Sequence, residues 1–152
     1  MIAAWRLVRR RHAAEAFSGE GARLYGGRWS SRGRRAIYLS EHLSLAALEI
    51  LVHVHEPALL ASYQAFRVEF DEAAVEGLPA GALPADWNGS PAPRELRTLG
   101  DRWLDRAARP VLRVPSAVIP IESNFLVNPA HPGFVTLRIG TPQAFDFDPR
   151  LR

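Results

Sequence analysis

The chain has 152 residues, a length that fits one domain able to bury most of its apolar surface, and we expect a single domain over 1–152. It contains no cysteine, which excludes disulfides and thiolate-based zinc or iron–sulfur sites. All nineteen basic residues are arginine and the net charge is only +3, so the concentrated basic excess of a typical nucleic-acid-binding protein is missing. The apolar N-terminal run ends at Arg6, too early for a signal peptide or a membrane span, and we expect a cytoplasmic protein.

The N-terminal part is predicted to begin with a strand and to continue into a short helical stretch. Residues 4–8 alternate weakly, which indicates a strand carrying Arg6. Residues 12–17 fit one or two helical turns that end in the glycine-rich run 18–21. These glycines are not a dinucleotide-binding fingerprint, because Leu24 stands where its third glycine would fall.

The stretch 25–29, Tyr-Gly-Gly-Arg-Trp, combines the features of a nucleotide site. Its adjacent glycines allow another group to approach the backbone closely. Arg28 carries a planar, charged fork that suits phosphate or carboxylate, and Tyr25 and Trp29 offer flat surfaces for a ring. The alternative is an ordinary glycine turn with a surface arginine and two core aromatics.

A strand over 36–39 and a helix over 45–55 are predicted to follow, with Ser40 or Ser44 as the helix cap. His53 and His55 in this helix do not indicate a metal site, because positions two apart point away from each other. We therefore expect no bound metal.

Glu49 is the unusual residue of the predicted helix. No lysine or arginine lies three or four positions away to pair with it. It also lies beside an apolar stripe of Leu45, Leu48 and Val52, which is predicted to face the core. A carboxylate at the edge of a core needs a partner from elsewhere in the fold, so either a distant arginine or a ligand is expected.

The middle of the chain contains one clear strand and one clear helix. Residues 64–70 alternate cleanly between apolar and charged side chains. The stretch 76–93 is rich in proline, glycine and alanine and is predicted to be a long loop, with Trp87 as its anchor. A helix is predicted over 93–108, with the apolar stripe Leu96, Leu99, Trp103 and Ala107.

The C-terminal third is predicted to be rich in strands. Ser116 lies between two of them, but no G-x-S-x-G elbow surrounds it, so it is more typical of a hydrogen-bonding residue than of a nucleophile. Asn124 follows closely and has the same two interpretations, an edge of a site or a local turn. The predicted strands are 111–114, 117–121, 134–139 and 144–147. Together these elements predict an α+β fold, a compact domain with mixed or antiparallel sheets and a few helices.

Six short motifs follow one another along the chain, W-R-L, Y-G-G-R-W, A-I-Y-L, L-A-A-L-E, V-P-S-A-V-I-P and N-F-L-V-N-P. Together, in this order, they resemble the RES-domain toxins of bacterial RES/Xre-type toxin–antitoxin pairs. The resemblance extends from Trp5 to about Phe147, although the segment 76–93 carries no matching motif. The family is named for an arginine, a glutamate and a serine, which match Arg28, Glu49 and Ser116.

The resemblance implies a fold related to ADP-ribosyltransferase toxins and an enzyme that destroys NAD⁺ by breaking its nicotinamide–ribose bond. Water, phosphate or a protein is the implied acceptor. Glu49 then faces the positive charge that develops on the ribose. The resemblance implies NAD⁺ as the substrate and no need for a metal. The implied catalytic residues are Arg28, Tyr38, Glu49 and Ser116. The implied NAD⁺-binding residues are Arg6, Tyr25, Arg28, Tyr38 and Asn124.

The resemblance also implies a partner, an Xre-like antitoxin that blocks the active-site cleft in a higher-order complex of both proteins. Contact with nucleic acid is then indirect, through the antitoxin, and no membrane is involved. Two alternatives are an ADP-ribosyltransferase that modifies a protein target and, more distantly, an arginine-rich RNA-binding domain, whose affinity for RNA would fall steeply with salt.

Overall fold

A computed structural model of the chain describes residues 1–151, which form one mixed sheet of eight strands with three α-helices. The sheet order is β4-β5-β6-β2-β1-β3-β7, and β8 also pairs with β3. Neighbouring strands are antiparallel except β4 and β5. The α+β class is confirmed. The strands are β1 Ile2–Arg9, β2 Ile37–Ser40, β3 Tyr63–Phe70, β4 Val75–Gly77, β5 Val111–Pro115, β6 Ser123–Val127, β7 Arg138–Ile139 and β8 Gln143–Phe145.

The three α-helices differ in length and in packing. Helix α1 covers Glu20–Tyr25, α2 covers Leu43–Leu51 and α3 covers Arg94–Arg106. Helix α2 packs against β1 and β2, whereas buried side chains of α3 join those of β5 and β6 in a second cluster. Four short 3-10 helices complete the fold, at Arg10–Glu15, Pro57–Leu60, Glu72–Ala74 and Pro132–Thr136.

The sheet is interrupted where β1 meets β2. Strands β1 and β2 are paired at a single position, where Trp5 is opposite Ser40, whereas β1 pairs with β3 along its whole length. The Arg6 side chain lies across this interruption and donates from Nη1 to the main-chain oxygen of Tyr38 at 3.1 Å. Side chains of both strands therefore face a common opening.

The predicted strand 64–70 and the helix 93–108 are confirmed as β3 and α3. Phe66, Val68 and Phe70 are buried, as their alternation with charged residues requires. In α3, Leu96 and Trp103 are buried, but Ala107 is exposed because the helix ends before it, in a left-handed C-cap. Pro93 is the N-cap rather than the first helical residue.

The N-terminal half differs from its prediction in two helices. Helix α1 forms where a glycine-rich turn was predicted, with Gly21 inside it. Helix α2 ends at Leu51 rather than at His55, and its N-cap is His42 with no side-chain hydrogen bond, so neither serine caps it.

The buried face of α2 also differs from the predicted stripe. Ala46 and Ala47 join Leu45 in facing the sheet, whereas Leu48 and Val52 are exposed. Small alanine side chains let the helix lie close to the strands beneath it. The prediction assumed instead that the larger aliphatic residues mark the buried side.

Two predicted C-terminal strands are wrong. Residues 117–121 form a turn, because the Ser116 hydroxyl accepts from the main-chain N–H groups of Val118 and Ile119, both at 3.0 Å. The next strand is β6, which pairs with both β2 and β5. The first half of 134–139 lies in the last 3-10 helix, and only Arg138–Ile139 pairs as a strand.

The predicted long loop is confirmed over 78–93, between β4 and α3, although its first two residues belong to β4. Trp87 is partly buried against the cluster that contains Trp29 and Trp103, as an anchor should be. Within the described residues, no helix has the length and apolar character needed to cross a membrane.

Candidate active site

A cavity of about 690 Å³ opens at the interruption between β1 and β2. Its walls come from these two strands, from α2 and from the loop after α1. The volume is in the range of pockets that hold small molecules and cofactors. Of the residues predicted for the site, all but Ser116 line it: Arg6, Tyr25, Arg28, Tyr38, Glu49 and Asn124.

The Glu49 carboxylate is held by neutral hydrogen-bond donors. Its Oε2 accepts from the Ser116 hydroxyl at 2.8 Å and from the Asn124 side-chain amide at 2.6 Å. Within residues 1–151 it makes no ion pair, so the predicted distant arginine is not its partner. Because Oε1 has no hydrogen-bond partner among these residues, it can interact with a ligand.

Ser116 lies behind Glu49 rather than on the cavity wall. Its side chain is 0% exposed, and its hydroxyl donates to Glu49 while accepting from the turn that follows β5. A buried hydroxyl in this position orients the carboxylate. Its burial supports this positioning role more than the role of a catalytic residue, which the resemblance implies.

Asn124 connects Glu49 to the edge of β2. Its Oδ1 accepts from the Ser40 hydroxyl at 2.7 Å while its Nδ2 donates to Glu49. Ser40 and Asn124 are directly opposite each other in the antiparallel pair of β2 and β6, which explains the contact. Ser40 was proposed only as a helix cap, because cross-strand pairing is not visible in the local sequence.

Arg6 is a partly buried cation without a carboxylate partner among the described residues. Its Nε donates to the main-chain oxygen of Ala16 at 2.9 Å, and its Nη1 donates to Tyr38. Burial lowers the pKa of Arg6 to about 10, so the group remains charged at neutral pH. These two main-chain carbonyls accept two of its five hydrogens without neutralising it, which leaves an anionic ligand as the natural counter-charge.

The loop that carries Arg28 is a tight turn attached to Tyr38. The Gly27 N–H donates to the Ser30 carbonyl at 2.9 Å, and Gly26 has a φ of 72°, which favours glycine. A Cβ on Gly27 would lie 2.4 Å from the Tyr38 hydroxyl oxygen. The two glycines therefore serve the turn and its contact with Tyr38.

The Tyr38 hydroxyl holds this turn in place. It accepts from the Trp29 N–H at 3.0 Å and shares a hydrogen bond of 2.8 Å with the Ser30 hydroxyl. Burial raises the pKa of Tyr38 to about 12, so the phenol stays neutral under physiological conditions. Tyr38 lines the cavity, so it is available to contact a ligand there, as an NAD⁺-binding residue would be.

Tyr38→Phe is expected to lower the free energy of unfolding by about 1–3 kcal/mol, because the Trp29 N–H and the buried Ser30 hydroxyl lose a partner. Urea denaturation measures the change. Tyr25→Phe is the control, since Tyr25 is 77% exposed and its hydroxyl has no hydrogen bond within the described residues. Equal stability of Tyr38→Phe and the native protein would show that the hydroxyl does not hold the turn.

Helix α3, to which no chemistry was assigned, supports the same loop from behind. The Asp101 carboxylate accepts from the Ser31 main-chain N–H at 3.0 Å and from the Ser31 hydroxyl at 2.6 Å. Gly100 packs so closely that an added Cβ would lie 1.6 Å from the Trp29 carbonyl oxygen. A glycine inside an otherwise strong helical pattern was the available signal for this contact.

One group of potential metal ligands lies outside the cavity. Glu41, His42 and Glu122 offer ligand atoms within 4.8 Å of one another, at the surface near the start of α2. His53 lines the cavity but belongs to no such group within residues 1–151. The cavity combines the fixed Glu49 carboxylate with guanidinium groups, among them those of Arg6 and Arg28, and this combination suits a ligand with both anionic and cationic parts.

Residues 3–148 match the RES domain, and the chain therefore belongs to the RES-domain family of toxins. This confirms the resemblance found from the motifs. A solved structure of the MbcT–MbcA toxin–antitoxin complex of M. tuberculosis has the same fold, with a TM-score of 0.76 and 22% identity over 99% of this chain and 86% of that chain.

Three curated relatives match along nearly their whole length. Toxin Res of Yersinia enterocolitica is 40% identical, covering 97% of this chain and 98% of the relative. Toxin Res of Photorhabdus laumondii is 38% identical, covering 97% and 95%. The Prs ADP-ribosylating toxin of Sphingobium sp. is 32% identical, covering 97% and 94%.

Proposed function

We propose that this toxin depletes NAD⁺ by cleaving its nicotinamide–ribose bond. The observation that carries the proposal is the Glu49 carboxylate, which Ser116 and Asn124 orient at a cavity that Arg6 and Arg28 also line, neither of them with a carboxylate partner among the described residues. NAD⁺ has a matching charge distribution, with an anionic pyrophosphate and a cationic nicotinamide ring. Relatives named as toxins, one of them ADP-ribosylating, support the same class of reaction.

The reaction begins with heterolysis of the bond between the nicotinamide nitrogen and the ribose carbon. The bonding electron pair leaves with nicotinamide, which becomes neutral, and positive charge develops on the ribose. Glu49 stabilises that charge, since a fixed carboxylate costs no reorganisation as the charge forms. Water then adds to the ribose and releases a proton. We propose that Glu49 accepts this proton.

The remaining site residues hold the dinucleotide. Arg6 and Arg28 bind the pyrophosphate or the ribose oxygens, and Tyr38 and Tyr25 supply aromatic surfaces for its rings. Asn124 can make few further hydrogen bonds to a ligand, because its side-chain oxygen already accepts from Ser40 and one of its amide hydrogens is donated to Glu49. Its second amide hydrogen remains for the ribose or the carboxamide.

The proposal is tested by incubating the pure protein with NAD⁺ in phosphate-free buffer, with no other protein present. Loss of NAD⁺ and release of equal amounts of nicotinamide and ADP-ribose are expected. Adding inorganic phosphate shows whether it replaces water as the acceptor, through a phosphorylated ADP-ribose product. Retention of all NAD⁺ over many enzyme equivalents, with and without phosphate, contradicts the proposal.

The second candidate is transfer of ADP-ribose to a protein. The observation that favours it is the name of the Sphingobium relative, which assigns ADP-ribosylation to that toxin. Incubation with cell extract and NAD⁺ labelled in the adenosine half distinguishes the two. Label attached to a protein band, with little NAD⁺ loss when the extract is omitted, supports transfer.

The proposed physiological setting is a toxin–antitoxin pair in the cytoplasm. The structural relative was solved as a toxin–antitoxin complex, and we propose an Xre-like antitoxin for this chain that covers the cavity in a hetero-oligomer. Co-expression of the adjacent gene product should restore growth and co-purify with the toxin. An antitoxin that binds without inhibiting NAD⁺ loss contradicts the covering of the cavity.

Arg28→Lys is expected to reduce kcat/KM for NAD⁺ by at least about tenfold, because an ammonium group lacks the planar fork that can donate to protein and ligand together. Arg32→Lys is the matched control, since Arg32 is exposed in the same loop. Steady-state assays of NAD⁺ loss measure both. A lysine variant with native kcat/KM would show that only a point charge is needed.

A further inference from the structure

The segment 78–93 is a chain of tight turns rather than an unstructured loop. Main-chain hydrogen bonds connect Ala82 to Pro79, Trp87 to Pro84 and Gly89 to Asp86, at 2.9 to 3.1 Å. Each turn spans three residues from acceptor to donor, and two of the acceptors are prolines. The path of the backbone is therefore defined although it contains no helix or strand.

The segment is anchored on the core next to the proposed active site. Four of its side chains pack against the buried cluster that includes Trp29, the residue after Arg28. Trp87 is the largest of them. The four are Leu78, Leu83, Trp87 and Ala92.

The main chain of this segment contacts the Arg28 side chain directly. Arg28 Nη1 donates to the carbonyl of Trp87 at 3.1 Å and to the carbonyl of Gly89 at 2.9 Å. Within residues 1–151, these are the only hydrogen bonds of the guanidinium group. Its Nε and Nη2 hydrogens remain available to a ligand.

Neutral carbonyls are well suited to aim a ligand-binding arginine. A carboxylate at the same place would compete with an anionic ligand for the guanidinium charge. Two carbonyls fix one nitrogen and hence the plane of the fork while leaving the charge uncompensated. Fixing the fork before binding also lowers the entropy cost of ordering a long side chain.

We propose that segment 78–93 is a positioning element for Arg28, with Trp87 as the positioning residue that anchors it. The inference rests on the proposed function in one respect, that the ligand aligned by Arg28 is NAD⁺. It assigns a role to a proline- and glycine-rich segment that carries no family motif.

The test separates the order of Arg28 from the binding of NAD⁺. The first readout is the side-chain Nε–H signal of Arg28 in ¹⁵N NMR of the full chain without ligand, assigned by its loss in Arg28→Ala. In Trp87→Ala the heteronuclear NOE of this signal should fall from the value of a rigid N–H group to that of a mobile one. Leu99→Ala is the control, because Leu99 packs against the same cluster from α3, and it should keep the signal rigid.

The second readout is a double-mutant cycle for NAD⁺ affinity, measured calorimetrically in a Glu49→Gln background, in which turnover is expected to be slow. Trp87→Ala should weaken the affinity about tenfold when Arg28 is present and less than about twofold in an Arg28→Ala background. Leu83→Ala, a smaller truncation of the same anchor, should show the same pattern to a lesser degree, and it replaces Trp87→Ala if that variant does not fold.

The outcomes distinguish the two ideas. A rigid Arg28 signal in the folded Trp87→Ala and Leu83→Ala variants overturns the positioning role, whatever happens to NAD⁺ binding. An equal loss of affinity with and without Arg28 also overturns it. A mobile Arg28 in the segment variants, with no NAD⁺ binding by any variant or by the native chain, supports positioning and contradicts NAD⁺ as the ligand.

Discussion

Glu49→Gln is expected to slow NAD⁺ cleavage by at least about a hundredfold, a rise of roughly 3 kcal/mol in the barrier. The glutamine oxygen can replace Oε2 as the acceptor for Ser116 and Asn124, so the supporting hydrogen bonds survive. What is lost is the negative charge that is proposed to face the ribose. Single-turnover measurement of nicotinamide release reports the rate of this step.

The same preparation should keep its melting temperature and most of its affinity for NAD⁺, because the lost interaction is stronger in the transition state than in the bound substrate. Glu15→Gln is the matched control. It makes the same chemical change at an exposed position on the cavity rim and should leave the rate near native. A Glu49→Gln variant that is destabilised but cleaves NAD⁺ normally when folded would remove Glu49 from the catalytic residues.

Gly100→Ala is expected to have the largest effect on stability, lowering the free energy of unfolding by about 3 kcal/mol or more. The added methyl group would lie 1.6 Å from the carbonyl oxygen of Trp29 and 2.7 Å from its carbonyl carbon. These are backbone atoms of the loop that carries Arg28, so α3 or the loop must move. The gain in helix propensity, about 1 kcal/mol, is too small to offset the clash.

Gly21→Ala provides the comparison, since Gly21 also lies inside a helix but has no atom within 4 Å of an added Cβ. It should raise stability by about 0.5–1 kcal/mol. Thermal and urea denaturation of both variants measure the difference. Gly100→Ala with native stability would show that the contact between α3 and the loop is looser than the structure indicates.

The family, and the candidate site residues that the structure brings to one cavity, could be predicted from sequence because they lie in local motifs. Arg28 was recognised by its glycines and neighbouring aromatics, and Glu49 by the lack of a basic partner on its own helix. The strand β3 and the helix α3 were predictable because their apolar residues follow one clear period. The failed predictions are at 117–121 and 134–139, where apolar residues form turns held by side-chain and local main-chain hydrogen bonds.

Only the tertiary structure decided how these residues cooperate. Ser116 could have contacted a ligand or supported a neighbour, and its burial behind Glu49 favours support, because the turn after β5 aims its hydroxyl inward. The contact of Arg28 with Trp87 and Gly89 joins residues about sixty positions apart. Local pattern carries no information about such pairs, since they depend on strand order and on the packing of α3. Sequence therefore determined which groups are available for chemistry, and long-range packing decided which of them face the cavity and which hold the others in place.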